Sequence, residues 1–301
     1  MRFRFTGKFA LSVALMGVAA AAVAQAQGAG DTKPKLYNTA KQKLLERKQV
    51  FSFTQSKFDI PGYCEAAKHY DYAWFEMQHS TLEFKDVEAM IAACPHAGAI
   101  PMVRLPDAQE WHIQHATDIG ALGVIIPTVD DVERAREGAK WSRFPPVARR
   151  STGAGQARSI WGINGIDYAK TFNDNMLVVV MIESPTGVAN ISEIASVAGV
   201  DVVIIGNNDL SVFSGYAQDD DRYQSMVKKI HDETVKAGKL FGQANAGYAK
   251  GHPLSSDSFF FQNGPSKDGW KLPSVGAGNP NAPPPGEEDA PAKKQGAKKA
   301  K

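Results

Sequence analysis

The sequence predicts a single α/β domain, a (β/α)8 TIM barrel of eight parallel strands, over residues 36–272. Short apolar runs alternate with helical patterns along this region, and such alternation favours parallel pairing with right-handed crossovers. Eight units in roughly 235 residues match the usual length of this barrel. A doubly wound open sheet is the alternative, but no glycine-rich phosphate-binding turn follows the first strand.

The predicted strands are short runs rich in apolar residues. MLVVVMI at 176–182 is apolar at every position, which is typical of a strand covered on both faces. The helical patterns between the strands often end at glycine, as in DDRYQSMVKKIHDETVKAG. The predicted strands are 50–56, 72–78, 99–105, 123–129, 176–182, 201–207, 239–245 and 258–264.

The two ends of the chain differ from the predicted barrel in composition. Residues 1–26 combine a basic start, an apolar tract and the small-residue sequence AQA, which predicts a secretory signal peptide followed by a linker at 27–35. The expected destination is the periplasm. Residues 273–301 are rich in Pro, Gly and Lys and predict a disordered tail, with a polybasic interaction role as the alternative.

Charge and cysteine content limit the partners that the sequence suggests. The chain carries 34 Lys and Arg against 32 Asp and Glu, and cleavage after residue 26 would leave 31 against 32. This balance does not favour a nucleic-acid or membrane partner, and no membrane span is expected in the mature form. Cys64 and Cys94 either form a disulfide in an oxidising compartment or stay buried as free thiols.

Two carboxylates follow neighbouring predicted strands, at the end of the barrel where functional groups gather. Glu183 and Asp209 each come just after a buried strand, and adjacent strands lie ~5 Å apart. Hard cations prefer oxygen ligands, so the pair predicts a Mg²⁺ or Mn²⁺ site. The alternative for Glu183 is a solvated carboxylate that the following helix dipole favours.

A cation and a base candidate lie at the same predicted end. Arg104 ends the third strand, where a guanidinium suits a carboxylate or enolate oxygen. His79 follows the second strand close to Glu76, and an acid beside an imidazole can fix its tautomer and raise its basicity. Alternatively, Arg104 bridges carboxylates at the rim and His79 caps the next helix. Together with a metal, the set suits making and quenching an enolate.

The chain resembles the HpcH/HpaI aldolase family, the metal-dependent 2-oxo acid aldolases related to citrate lyase β subunits, from about residue 50 to residue 261. Four segments carry the resemblance, in the family's order: YDYAWFEMQHSTLEFKDVEAMI, PMVRLP, DIGALGVIIPTVDDVERARE and MIESPTGVANISEIASVAGVDVVIIGNNDLS. By this resemblance, Glu183 and Asp209 would bind Mg²⁺, Mn²⁺ or Co²⁺, Arg104 would bind the 2-oxo acid, and His79 would be the base, with Glu76 beside it.

The resemblance also implies substrate contacts and assembly. The backbone around Gly206, Asn207 and Asn208 would cradle the substrate carboxylate, and Arg150 would lie on a loop near the site. Family members are homo-oligomers that exchange their last helix. No helical pattern follows the eighth predicted strand of this chain, so we expect a smaller homo-oligomer or one built on different surfaces.

Two motifs depart from the family pattern. The family's Asp-Gly-Glu-His is Glu76-Met77-Gln78-His79 here, and its Gly-Pro-x-Asp is Gly206-Asn207-Asn208-Asp209. The expected activity is that of a lyase, a metal-dependent class II aldolase that acts on a small-molecule 2-oxo acid and an aldehyde. Two alternatives stay open: another enolate reaction at the same site, such as an ester-linked lyase or a decarboxylase, and an exported binding protein for a carboxylated ligand.

Overall fold

The computed structural model describes residues 36–153, 155–162, 166–245 and 254–272, which form a closed barrel of eight parallel strands. Each strand pairs with the next along the chain, and the eighth pairs with the first. The predicted fold is therefore confirmed. The strands are β1 (Val50–Gln55), β2 (Tyr72–Glu76), β3 (Ile100–Arg104), β4 (Gly123–Ile126), β5 (Leu177–Ile182), β6 (Val202–Ile205), β7 (Leu240–Asn245) and β8 (Ser258–Asn263).

Helices connect the strands and cover the outside of the barrel. A short 3-10 helix, Ser255–Asp257, precedes β8. No helix in the described part of the chain is long and apolar enough to cross a membrane. The α-helices are α1 (Thr39–Leu45), α2 (Ile60–Ala66), α3 (Phe84–Ala93), α4 (Glu110–Asp118), α5 (Val132–Ser142), α6 (Gly155–Trp161), α7 (Ile166–Asn175), α8 (Pro185–Ala189), α9 (Ile191–Ala195), α10 (Asn207–Ser214) and α11 (Asp221–Lys236).

The strands are buried on both faces, as their composition predicted. Every residue of β2 through β6 is buried. Several strands end earlier than predicted, because the chain turns at their carboxyl ends to form the mouth of the barrel. β4 ends at Ile126, two residues before Thr128, whose φ of 51° is incompatible with a strand. β6 ends at Ile205, because α10 begins at Asn207.

The register between strands determines which side chains meet at the mouth. Glu76 of β2 pairs directly with Arg104 of β3. Ile182 of β5 pairs with Ile205 of β6. The residues that follow these two strands, Glu183 and Gly206, are therefore also neighbours. The helix predicted after β5 is divided in two, α8 and α9, at Asn190, whose side-chain Nδ2 donates to the carbonyl of Asp130 at 2.8 Å.

The chain after β8 contains no helix as far as Leu272, where the described part ends. This segment turns back to the residues that follow α2. The N–H of Lys267 donates to the carbonyl of His69 at 2.8 Å, Asp268 pairs with Nδ1 of His69 at 2.7 Å, and Trp270 stacks on the imidazole at 4.5 Å. The predicted signal peptide, linker and tail, residues 1–26, 27–35 and 273–301, lie outside the described residues.

A disulfide joins Cys64 and Cys94, with Cα atoms 5.7 Å apart. Of the two alternatives that the sequence left open, the structure shows the cross-link. Cys64 lies in α2 and Cys94 directly follows α3, so the bond ties together the helices that follow β1 and β2.

We expect the disulfide to contribute substantially to stability. It closes a loop of 30 residues in sequence separation, and in the chain-entropy account a loop of this size stabilises the fold by about 3–4 kcal/mol. The double variant Cys64→Ala/Cys94→Ala should lose about that much free energy of unfolding, measured by guanidinium titration. Reductant should lower the midpoint of the unsubstituted protein and leave that of the variant unchanged. A midpoint of the unsubstituted protein that does not respond to reductant would contradict the cross-link.

Candidate active site

The carboxyl group of Glu183 lies buried in the mouth of the barrel, with the residue 2% exposed. Glu183 directly follows β5. The backbone N–H of Thr128 donates to Oε1 at 2.6 Å, and the Thr128 hydroxyl lies 3.3 Å from the same oxygen. On the other side is Gly206, where a Cβ atom would overlap Oε2. A larger residue at 206 would therefore push the Glu183 carboxylate out of this position.

Asp209 lies in the first turn of α10, close enough to Glu183 to act on its carboxyl group. Burial holds the pKa of the Glu183 carboxyl well above its usual range, and the charge of Asp209 raises it further. The charge of Arg104 and the amide of Thr128 act in the opposite direction. Neighbouring carboxylates repel each other, and a bound cation would relieve that repulsion.

Arg104 and Glu76 form a buried ion pair at the ends of β3 and β2. Nη1 of Arg104 lies 3.2 Å from Oε2 of Glu76, and the two residues are 7% and 6% exposed. Nε1 of Trp74 donates to the same oxygen at 3.0 Å. The buried Nε of Arg104 has no hydrogen-bond partner in the structure as described. The guanidinium is thus anchored at one nitrogen and has donor capacity left for a ligand.

The structure corrects the expected relation between Glu76 and His79. Oε1 of Glu76 accepts from the backbone N–H groups of Gln78 at 2.9 Å and His79 at 3.1 Å. Because its other oxygen is taken by Trp74 and Arg104, Glu76 fixes the loop that carries His79 and does not orient the imidazole. His79 itself is exposed at the rim.

The start of α10 presents its backbone at the mouth. Gly206 caps the helix without a side chain, so the first N–H groups receive no side-chain cap there. Oδ1 of Asn207 accepts from the Tyr223 hydroxyl at 3.0 Å, and Oδ1 of Asn208 accepts from Nε2 of Gln218 at 3.2 Å. Both side-chain oxygens are therefore bonded to other parts of the protein.

Arg150 does not join this group of residues, and the expectation that it lies near the site is wrong. It is fully buried, and its Nη2 donates to Asp118 at 2.6 Å. The guanidinium also lies over the rings of Phe144 at 4.4 Å and Phe172 at 4.2 Å. Asp118 ends α4, which leads back to the start of β4. Arg150 is therefore held near the amino ends of the strands, opposite the mouth.

Two residues that contact the site were missed by the sequence reasoning, Thr128 and Trp74. Thr128 lies just past the carboxyl end of β4, so the rule that selected the other rim residues also applies to it. Its backbone conformation, which aims the amide at Glu183, leaves no signal in one sequence. Trp74 lies within a strand, where an aromatic residue is expected whether or not its indole binds a carboxylate.

The residues present fit a divalent cation. The guanidinium of Arg104 is paired with Glu76, which leaves the carboxyl groups of Glu183 and Asp209 without an ion pair of their own in the part of the chain that the structure describes. Within the described residues, no three or more His, Cys, Asp or Glu side chains are grouped to hold a metal. Glu183 and Asp209 would thus supply two oxygen ligands and leave the other positions to water or substrate, as Mg²⁺ and Mn²⁺ sites commonly do.

Known proteins with similar sequences and structures identify the family of this chain. The family described as HpcH/HpaI aldolase/citrate lyase matches residues 63–248, more than half of the chain. The hydroxypyruvate/pyruvate aldolase of Roseovarius nubinhibens is 34% identical over 154 residues, which cover 51% of this chain and 60% of the relative. The 2-keto-3-deoxy-L-rhamnonate aldolase of Klebsiella pneumoniae is 29% identical over 224 residues, covering 74% and 82%.

A solved structure shows the same architecture. The crystal structure of an HpcH/HpaI aldolase from Desulfitobacterium hafniense superposes with a TM-score of 0.67 at 25% identity, covering 74% of this chain and 90% of that chain. The match covers 60% of the Roseovarius nubinhibens aldolase, which is less than two thirds of its length, and 82% of the Klebsiella pneumoniae aldolase. Because the family's sequence pattern matches more than half of the chain and a solved member shares its barrel, this chain belongs to the HpcH/HpaI aldolase/citrate lyase family.

Proposed function

We propose that this protein is a divalent-metal-dependent class II aldolase that cleaves, or forms, a 4-hydroxy-2-oxo acid through a pyruvate-type enolate. The observation that carries the proposal is the buried carboxyl group of Glu183 in the mouth of the barrel, which interacts electrostatically with Asp209 and with the anchored guanidinium of Arg104. This arrangement has the charge and the oxygen donors to hold a cation next to an enolate oxygen. Mg²⁺ and Mn²⁺ are the proposed metals, with Co²⁺ as a further possibility.

The relatives support the substrate class. One is named for 2-keto-3-deoxy-L-rhamnonate, a 2-oxo acid, and the other for hydroxypyruvate and pyruvate. We propose that this protein likewise acts on a small 2-oxo acid and an aldehyde. Two segments at the mouth of the barrel differ from the family pattern, Glu76-Met77-Gln78-His79 and Gly206-Asn207-Asn208-Asp209. Because they contribute to the substrate pocket, the aldehyde is not assigned from the relatives.

The residues of the chain divide the reaction into binding, charge stabilisation and proton transfer. A divalent cation, when bound, would act as a Lewis acid that stabilises negative charge on the oxygen at C2 of the substrate. The backbone N–H groups at the start of α10 hold the substrate carboxylate, since helix N-termini favour anions. Arg104 donates to the oxygen at C2 and stabilises the charge that develops there.

His79 accepts the proton of the 4-hydroxyl as the bond between C3 and C4 breaks. The electron pair of that bond moves towards C2, which forms the enolate of the 2-oxo acid, while C4 leaves as the aldehyde carbon. Water then protonates C3 of the enolate, and His79 releases the proton it accepted to the solvent, which completes the products. Glu76 contributes indirectly, because it holds both Arg104 and the backbone at His79.

We also propose that the protein acts outside the cytoplasm, in the periplasm. The Cys64–Cys94 disulfide supports this, because such bonds persist in oxidising compartments. We further propose a homo-oligomer that does not exchange a last helix, supported by the segment 264–272, which packs beside His69 of its own chain.

The metal assignment predicts a specific loss of Mn²⁺ binding. Glu183→Gln and Asp209→Asn should each abolish tight binding measured by isothermal titration calorimetry, because each removes one charged oxygen ligand. Circular dichroism should show an intact barrel, since polar changes at the rim leave the core unchanged. Glu193→Gln, at an exposed glutamate of α9, is the matched control and should bind Mn²⁺ normally. Unchanged affinity in both site variants would refute the assignment.

The proposed roles of His79 and Arg104 predict different kinetic defects. His79→Ala should slow aldol cleavage by about 10²–10⁴-fold, the usual contribution of general base catalysis. It should leave the exchange of pyruvate C3 protons in D₂O intact, because that step does not involve the 4-hydroxyl. Arg104→Lys should slow both reactions, since it keeps the charge beside Glu76 but loses the planar donors.

The control for the histidine is His115→Ala, at an exposed imidazole of α4, which should retain both activities. If exchange of the pyruvate C3 protons is lost in His79→Ala but kept in Arg104→Lys, the two proposed roles are reversed. If the unsubstituted, Mn²⁺-loaded protein shows neither exchange nor aldehyde release with a panel of 2-oxo acids, the aldolase proposal is wrong and the binding-protein alternative is favoured.

A further inference from the structure

Thr128 has a backbone conformation that its residue type disfavours. Its φ of 51° lies in the left-handed region, which only Arg47 shares among the described residues other than glycine. A β-branched side chain is especially crowded there. Residues in such conformations persist only when their surroundings enforce them, and they concentrate at functional sites.

The surroundings of Thr128 do enforce its conformation. The N–H of Val129 donates to the carbonyl of Met181 in β5 at 3.0 Å. On the other side, Nε of Arg134 donates to the carbonyl of Pro127 at 3.2 Å. The turn is thus attached both to the strand that leads to Glu183 and to α5.

The consequence of this conformation is the contact with Glu183. The N–H of Thr128 donates to Oε1 at 2.6 Å, and the hydroxyl adds a second donor to the same oxygen at 3.3 Å. Oε1 is therefore occupied by the protein, and Oε2, which lies against Gly206, is the oxygen left for a ligand. An extended residue at 128 would carry its amide in a different direction.

We propose that Thr128 is a positioning residue, whose strained backbone and hydroxyl fix the orientation of the Glu183 carboxylate. The inference rests on the proposed function only in taking Glu183 as a metal ligand. Partners that orient a ligand in this way typically change metal affinity by about 10–100-fold when they are replaced.

The contact can be tested without any metal. In the metal-free protein, the Thr128 amide should be protected from hydrogen exchange, followed by NMR. Glu183→Ala should reduce this protection by about 10–100-fold, the usual effect of losing a hydrogen bond to a charged acceptor. Equal protection with and without the Glu183 side chain would overturn the proposal.

Substitutions at 128 then separate positioning from ordinary structural support. Glycine adopts positive φ without strain, so Thr128→Gly should not lower the melting temperature. It should weaken Mn²⁺ binding by about 10-fold or more, because it removes the hydroxyl donor and lets the backbone at 128 turn its N–H away from Oε1. Thr128→Val, which keeps the branched shape without the hydroxyl, should weaken binding less, and Thr128→Ser should bind most like the unsubstituted protein.

Arg47→Gly is the matched control, because Arg47 is the other described non-glycine residue with positive φ and lies far from the site in sequence. This substitution should leave Mn²⁺ affinity unchanged. Thr128→Gly with normal Mn²⁺ affinity, or with affinity and melting temperature both lowered, would overturn the positioning role. If the unsubstituted protein binds no Mn²⁺, the proposed function fails instead, and the exchange experiment alone decides the role of Thr128.

Discussion

The carboxyl group of Glu183 is held in a confined space, and most of the site depends on how that space is made. Three consecutive strands contribute to it. Glu183 directly follows β5, the turn after β4 donates the Thr128 amide, Gly206 follows β6, and Asp209 lies in the first turn of α10. Parallel strands in a closed barrel bring these turns together at one end. Burial disfavours a bare carboxylate, so the space fits a ligand of positive charge.

The second half of the site is built on β2 and β3. Their register brings Glu76 and Arg104 together, and the buried carboxylate of Glu76 is satisfied by donors from Trp74, Gln78 and His79 as well as by the guanidinium. Removing one partner of such a buried pair strongly destabilises the fold, because the other charge stays buried and unpaired. Arg104 also acts electrostatically on Glu183, which couples the two halves of the mouth.

Charged residues at the other end of the barrel serve the fold. Arg150 pairs with Asp118, and Arg143 pairs with Asp201 at 2.6 Å while donating to the carbonyls of Gly199 and Met176. These arginines attach the connecting segments to the amino ends of the strands. The same residue type is thus proposed to bind a ligand at one end and stabilises the chain at the other, as the polarity of a parallel barrel leads one to expect.

The sequence by itself determined the barrel and the identity of most rim residues. Strands covered on both faces must be apolar along their whole length, so their pattern was visible, and Glu183, Asp209 and Arg104 stood out as the polar residues that end them. Only the tertiary structure decided which side chains meet. The burial of Arg150, the partners of Glu76, the disulfide and the conformation of Thr128 all depend on contacts between segments distant in the chain. Local composition does not encode those distances, because they arise from the closure of the barrel and the packing of its loops.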